Sequence, residues 1–218
     1  MPSRIQPIET EAMGDSPYSE APTAPSVSEI SFWLAKGRGQ ARFAAPTAAT
    51  LAEVERRTGR LDAIASPAEK ADFFRELARA CCLSWADAPK MPDPENIRVQ
   101  DDESLLILFA TELNPPIPEP SAYCELLEGG SSRSPEFDAF EITLELGAVA
   151  RFDEPTQKDS KQRQKAQTST DGTLQFAAAL CTHWNGQPVT WSEVLTKLRS
   201  ISLADLYRIS VGLGSFRG

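Results

Sequence analysis

Histidine is nearly absent from this 218-residue chain: it has a single one, His183. That removes most zinc sites and imidazole-based catalytic triads, which need histidines in company. Cysteine is equally sparse, with four residues of which Cys81 and Cys82 are adjacent and Cys124 and Cys181 isolated. No C-x-x-C pair or disulfide framework emerges, so the reading is reduced, buried or inert thiols in a cytoplasmic setting. Positive charge is also short, 22 Lys and Arg against 31 Asp and Glu for a net charge of -9. Nucleic-acid binders need clustered cations to displace counterions from phosphates, so that partner class is not expected. No apolar run approaches the ~20 residues that span a bilayer, and the first residues carry no apolar signal-peptide core. The expectation is a soluble protein without cofactor or metal, and not an enzyme.

What the chain does have is 17 prolines and 12 glycines gathered into recognisable stretches, which punctuate an α+β pattern of one to two domains. Residues 1–28 are rich in Ser, Pro, Thr, Ala and Glu without apolar periodicity and read as a flexible arm. Module 1 covers 29–113. Ile30-Ser-Phe-Trp-Leu, a Lys36-Gly-Arg-Gly turn and Ala41-Arg-Phe predict a β-hairpin ending at Pro46. Thr50-Leu-Ala-Glu53 has capping-box spacing for a helix over about 51–58, and Ser66-Pro67-Ala-Glu69 opens another whose stripe Phe73, Leu77, Cys81 and Trp85 predicts a helix to about Trp85. A short buried helix follows at Ser104-Leu-Leu-Ile-Leu-Phe-Ala.

Residues 114–137, rich in Pro, Gly and Ser, read as a linker. Module 2 covers 138–218. Phe140-Glu-Ile-Thr-Leu-Glu-Leu alternates with period two, turns at Gly147 and returns through Val149-Ala-Arg-Phe152. A polar, basic tract from Gln157 to Thr170 reads as a solvated helix or loop, and an apolar helix runs from Thr173 to Trp184, stopped by Asn185-Gly186. Thr190-Trp-Ser-Glu193 and Ser202-Leu-Ala-Asp205 cap the last two helices.

The halves resemble one another. Ala41-Arg-Phe-Ala-Ala-Pro-Thr47 matches Ala150-Arg-Phe-Asp-Glu-Pro-Thr156 at five of seven positions, and each is followed by alanines and a Cys-x-x-Trp, at Cys82–Trp85 and Cys181–Trp184. Ile97-Arg98 with Leu105 lines up with Leu198-Arg199 and Leu206. Such order predicts two tandem repeats, each a β-hairpin followed by two or three helices. Phe43 and Phe152 should point inward, the proline should end the ladder, and the threonine should cap the next helix. Arg42 and Arg151 then face outward, toward solvent or a partner carboxylate. The Cys-x-x-Trp pairs are expected on the core face of a helix.

Other constellations are poor. Cys181, His183 and a carboxylate such as Asp171 lie on an apolar helix end without a Gly-rich oxyanion loop. A helix-turn-helix over Thr190–Leu213 would offer only Arg208 as a basic reader.

A short hairpin, an Arg-x-x-x-Pro-Thr corner with Asp159 soon after, an Ala/Leu-rich helix and a final Ile-Ser-Leu-Ala-Asp-Leu helix ending in Phe resemble the small tail assembly chaperones of long-tailed bacteriophages. Residues 140–216 are the most similar part; the first half lacks the acidic residue after Thr47. Baseplate hub assembly proteins of contractile phages are similar in size and style. The resemblance implies a non-enzymatic protein of the host cytoplasm that holds a helical tape measure protein and helps recruit tail tube or baseplate hub subunits. The duplication, arm and linker depart from the single-module family, so retention as a structural component of the tail or baseplate is the alternative. An apolar patch would accept amphipathic helices, with Trp33, Trp191, Tyr207 and Phe216 as candidate partner-binding aromatics beside Arg42 and Arg151. The acidic surface suits basic clients. Oligomeric state is left open.

Overall fold

The computed structural model describes residues 28–114, 124–128 and 137–215. The expected arm, apart from Ser28, and Phe216 lie outside these residues. The class is α+β, with seven α-helices and two small antiparallel sheets among the described residues.

In the first lobe, β1 (Glu29–Trp33) and β2 (Gln40–Ala44) form the expected hairpin. Pro46 ends the ladder and Thr47 caps α1 (Ala48–Thr58), its hydroxyl accepting from the Thr50 N–H at 3.3 Å. The helix therefore starts three residues before the expected one, and the corner threonine displaces Thr50 as its cap. Gly59 closes α1 at φ +86°, a conformation that favours glycine, and its N–H donates to the Glu55 carbonyl at 2.8 Å. Ser66 caps α2 (Pro67–Cys81), with Pro67 in the first turn. Its Phe73, Leu77, Ala78 and Cys81 are buried.

At Cys82 the sequence expectation fails. The backbone turns extended and β3 (Cys82–Trp85) pairs antiparallel with β2, so Trp85 sits opposite Ala41 and Cys82 opposite Phe43. The side of β2 away from β1 would otherwise be a row of unpaired amides and carbonyls against the core. Satisfying that row overrides the helical stripe. The last helix, α3 (Val99–Glu112), starts earlier than expected and turns Asp101, Leu105 and Phe109 inward. Arg75 of α2 grips Asp102 of α3 through two nitrogens at 2.9 and 2.7 Å, a bidentate staple between these helices.

The second lobe follows the same course. Strands β4 (Cys124–Glu128), β5 (Phe137–Thr143), β6 (Val149–Asp153), β7 (Cys181–Trp184) and β8 (Gln187–Pro188) form a sheet in that order. Strand β4 falls within the stretch read as a linker, where it pairs with β5; the rest of 115–136 lies outside the described residues. The short apolar stretch Cys124-Glu-Leu-Leu-Glu128 alternates only over its first three residues, a weak strand signal that the surrounding prolines and glycines hid. The polar tract holds a short helix, α4 (Ser160–Ala166), and α5 (Thr170–Leu180) is capped by Ser169. Helix α5, like α2, stops before its cysteine: Cys181 pairs with Phe152 and Trp184 with Ala150. Asn185 and Gly186, at φ +52° and +73°, are therefore the turn between β7 and β8 rather than a helix stop. Helix α6 (Trp191–Arg199) carries the expected capping box, Thr190 with Glu193. Helix α7 (Leu203–Ser215) follows Ser202, whose hydroxyl accepts from the Asp205 N–H at 3.1 Å.

The two ladders coincide, each slipping between its Arg and its Phe, but the corners part at their threonines. Thr47 caps α1, whereas Thr156 does not cap α4 as expected, because its N–H and hydroxyl both donate to Asp159 Oδ2 at 2.8 Å. Phe43 and Phe152 are fully buried, as expected, against Phe109 at 5.2 Å and Phe140 at 4.9 Å. The third helices correspond differently from the sequence alignment. Asp101, Leu105 and Phe109 are buried at successive i+4 positions of α3, as are Asp205, Ile209 and Leu213 on α7. Short apolar matches such as Ile97 with Leu198 align by composition, whereas the buried carboxylate fixes the true register.

Each lobe has its own core, and α1 joins them. Ala48 belongs to the second core, while Leu51 and Leu113 pack against both. The Ala48 N–H donates to the Ile201 carbonyl at 3.1 Å, the Thr170 N–H to Glu55 Oε2 at 2.8 Å, and Arg60 Nη1 to the Gln167 carbonyl at 2.7 Å.

Candidate functional site

The outward face of the first sheet is set by strand alternation. Ile30 and Phe32 turn to the core, so Glu29, Ser31 and Trp33 turn away. Trp33 stands opposite Gln40 and Ser31 opposite Arg42. Arg42 does face outward, and its guanidinium holds Glu29 of the same hairpin at 2.5 Å. Trp33 is 76% exposed, so a rigid strand presents an indole with no packing to account for it.

Arg151 occupies the matching place in the second sheet, opposite Glu141 and His183, and lies 3.4 Å from Asp153. Trp191 projects from the first turn of α6 at 47% exposure, and Tyr207 from α7 at 54%. The candidates are thus spread over two sheets and two helices. The structure brings together Trp33 and Arg42 on one face and leaves Arg151, Trp191 and Tyr207 on other elements.

Sequence reading missed Val99 and Ile107, 74% and 69% exposed on the outer side of α3, and Leu146 at the tip of the β5–β6 turn. The apolar run 104–109 concealed the first two, because it reads as buried all round. The spacing of Asp101, Leu105 and Phe109 marks the inner face instead, and leaves 99, 103 and 107 outside.

Beneath each hairpin lies a buried aspartate. Asp101 accepts from the Ala35 N–H at 2.7 Å and from the guanidinium of Arg38. Asp205 accepts from the Glu145 N–H at 3.0 Å and from Arg208 at 3.1 Å. Burial pushes the Asp205 carboxyl above its usual range, opposed by the Glu145 N–H. Glu112 is raised as well, by burial and then by the charge of Glu145. Asp101 and Asp205 tie α3 and α7 each to the turn of its own hairpin, which is a structural duty.

A groove of about 650 Å³ runs between α1 and the start of α5, lined by Ala52, Glu53, Arg56, Ser169, Asp171 and Arg199 among others. Its charges are matched locally: Arg56 holds Glu53 at 2.8 Å and Arg199 lies 3.8 Å from Asp171. Arg56, by hydrogen bonding, keeps the Glu53 carboxyl below its ordinary range. Glu55 already occupies the amide end of α5.

Cys81 and Cys181 are buried, and burial pushes both thiols up to about 12, so neither is a ready nucleophile. Among the described residues, no group of three or more His, Cys, Asp and Glu could hold a metal ion, and no helix is long and apolar enough to cross a membrane. In comparison with known proteins, no family model matches the chain, and neither a curated protein nor a solved structure matches it.

Proposed function

We propose that the protein acts through protein–protein contacts in the assembly of a phage tail or baseplate, as a chaperone that holds a tape measure or hub protein. The observation that carries this reading is the set of large apolar side chains held out on rigid elements, Trp33 above all, with Val99, Ile107, Trp191 and Tyr207. Aromatic residues of this kind dominate interface energies. Two lobes joined by a shared helix present such residues on several faces, which suits a protein that engages a long client or more than one subunit. The net charge of -9 favours clients with basic helical surfaces and opposes self-association. Both lobes set a hairpin and a crossing strand against a helix with a buried aspartate, which supports reading the corner motifs as parts of one kind of module.

Quantitative mass spectrometry of purified particles, paired with capture of the tagged full chain from the assembling lysate, tests the proposal. The expected result is absence from particles together with retention of the tape measure or hub protein. A fixed integer ratio to tail subunits in particles would instead make the chain a retained component. Absence from particles with no tail protein captured would refute both.

A further inference from the structure

The two lobes differ at one sheet edge. Among the described residues β1 is an edge strand of the first lobe, whereas in the second its counterpart β5 is covered by β4. The Leu34 N–H donates to the Gly39 carbonyl at 3.0 Å and the Ala45 N–H to the Ser28 carbonyl at 2.7 Å. Ladder alternation then directs the amides and carbonyls of Ile30 and Phe32 to β2, and those of Glu29, Ser31 and Trp33 to the other side. Among the described residues, no strand pairs with that side.

The side chains show the same gap. By register, Ile30 opposite Phe43 corresponds to Phe140 opposite Phe152, and Phe32 opposite Ala41 to Ile142 opposite Ala150. Phe140 and Ile142 are fully buried, whereas Ile30 and Phe32 are only half-buried. The lobe that has an extra strand has a closed core face, and the lobe that lacks one does not.

We infer that the β1 edge is a strand-addition site that takes an extended segment of a partner protein, antiparallel, with apolar residues at alternate positions. Strand β4 is the template: Leu126 and Cys124 stand opposite Phe140 and Ile142, and Glu125 and Leu127 fall between the ladder bonds of Glu141 and Ala139. An incoming strand makes main-chain bonds to Glu29, Ser31 and Trp33 and sets two apolar residues over Ile30 and Phe32. The exposed indole of Trp33 flanks its end. The chain's own upstream sequence is a poor donor. Residues 129–136 separate β4 from β5, and the same spacing ahead of Glu29 falls at 16–20, where Pro17 has no amide N–H; Pro22 and Pro25 follow. The assembly reading serves only to say whose segment this is, since the edge itself is described without it.

The test uses the full-length protein and a synthetic peptide of residues 121–129 carrying Cys124→Val, which keeps an apolar residue over Phe32, followed by amide NMR and hydrogen exchange. The expected result is saturable one-to-one binding that shifts and protects the Ser31 and Trp33 amides. Ser31→Pro, which removes the outward N–H and the hydroxyl that accepts from Gln40 at 2.7 Å but no β1–β2 ladder bond, weakens binding by roughly tenfold or more. Ser31→Ala, which removes the hydroxyl alone, does not, and N-methylation of the peptide at Leu127 weakens binding as the proline does without touching the protein. No shift at millimolar peptide overturns the inference. Protection of these amides in the free monomer, showing that the chain covers its own edge, overturns the partner as occupant; protection that grows with protein concentration overturns it in favour of a second copy. Peptide binding together with absence of any tail protein in the capture experiment leaves this edge intact and sinks the assembly reading alone.

Discussion

Replacing Asp101 by alanine should unfold the first lobe ahead of the second. The carboxylate is 1% exposed and accepts two bonds, one from the Ala35 N–H at 2.7 Å and one from Arg38. A hydrogen bond to a buried charged acceptor contributes about 1.5–3 kcal/mol, and its loss leaves the Ala35 amide without a partner. The Arg38 side chain is 36% exposed and rehydrates when released, so its share is discounted to about 0–1 kcal/mol. The sum is about 2–4 kcal/mol, a fall in the melting temperature of the first lobe of roughly 12–24 °C at the middle of that range, for a unit of under about 100 residues unfolding ahead of the other. Asp101→Asn keeps an acceptor oxygen for Ala35 and loses charge assistance, so it should cost about 1 kcal/mol, and Arg38→Ala no more than about 1. Urea titrations followed by fluorescence check the order, because Trp85 is buried against Phe43 and reports the first core. Equal losses for the Ala and Asn variants, or an Arg38→Ala loss as large as that of Asp101→Ala, would refute the claim that the amide clamp is the main contribution.

Gly212→Ala should destabilise the second lobe by about 1–3 kcal/mol despite the better helix propensity of alanine. A methyl there meets the Phe140 ring at 2.5 Å, and that ring is fully buried and stacked on Phe152; Gly214→Ala, which meets nothing within 4 Å, should gain up to about 1 kcal/mol in the same thermal melts. Asp205 and Glu112 both hold their protons to higher pH in the folded state than in the unfolded chain, where such groups titrate near ~4. The folded state then binds more protons above that value, so the stability these groups contribute is present below about pH 4 and is lost as pH rises through the folded pKa values. The double variant Asp205→Asn with Glu112→Gln should gain on the wild type across that rise in pH-dependent urea titrations, and a pH-independent difference would show that neither group titrates as described.

Both hairpins, the proline corners, and the caps at Thr47, Ser66, Thr190 and Ser202 could be read from sequence, because each rests on local chemistry, whereas Thr156 turns to Asp159 instead of capping α4. Strands β3 and β7 could not. Their Cys-x-x-Trp segments continue a helical stripe, and only the unpaired side of β2 or β6, distant in sequence, decides that they extend. Asn185-Gly186 was the available hint, since that pair suits a two-residue hairpin turn as well as a helix stop. The site was legible to a similar depth: the exposure of Trp33 and Trp191 could be anticipated from their place at element ends and that of Tyr207 from its place on a terminal helix, whereas that of Val99 and Ile107 depends on which face Asp101 pulls inward. The exposed β1 edge needed the second lobe for comparison, and so could not be inferred from one copy of the pattern.

The seating of α1 bears on how the chain is made. Its first residue packs in the second core and donates its amide to Ile201, so the first lobe leaves the ribosome with that end of the helix unfinished. Most of the chain must follow before the acceptor is synthesised, a wait of roughly ten to thirty seconds at usual elongation rates. Over that interval Ala48 lacks the core it packs in and Leu51 has only the first of its two, and the nascent first lobe must persist on its own core of Phe43, Phe73, Leu77 and Phe109.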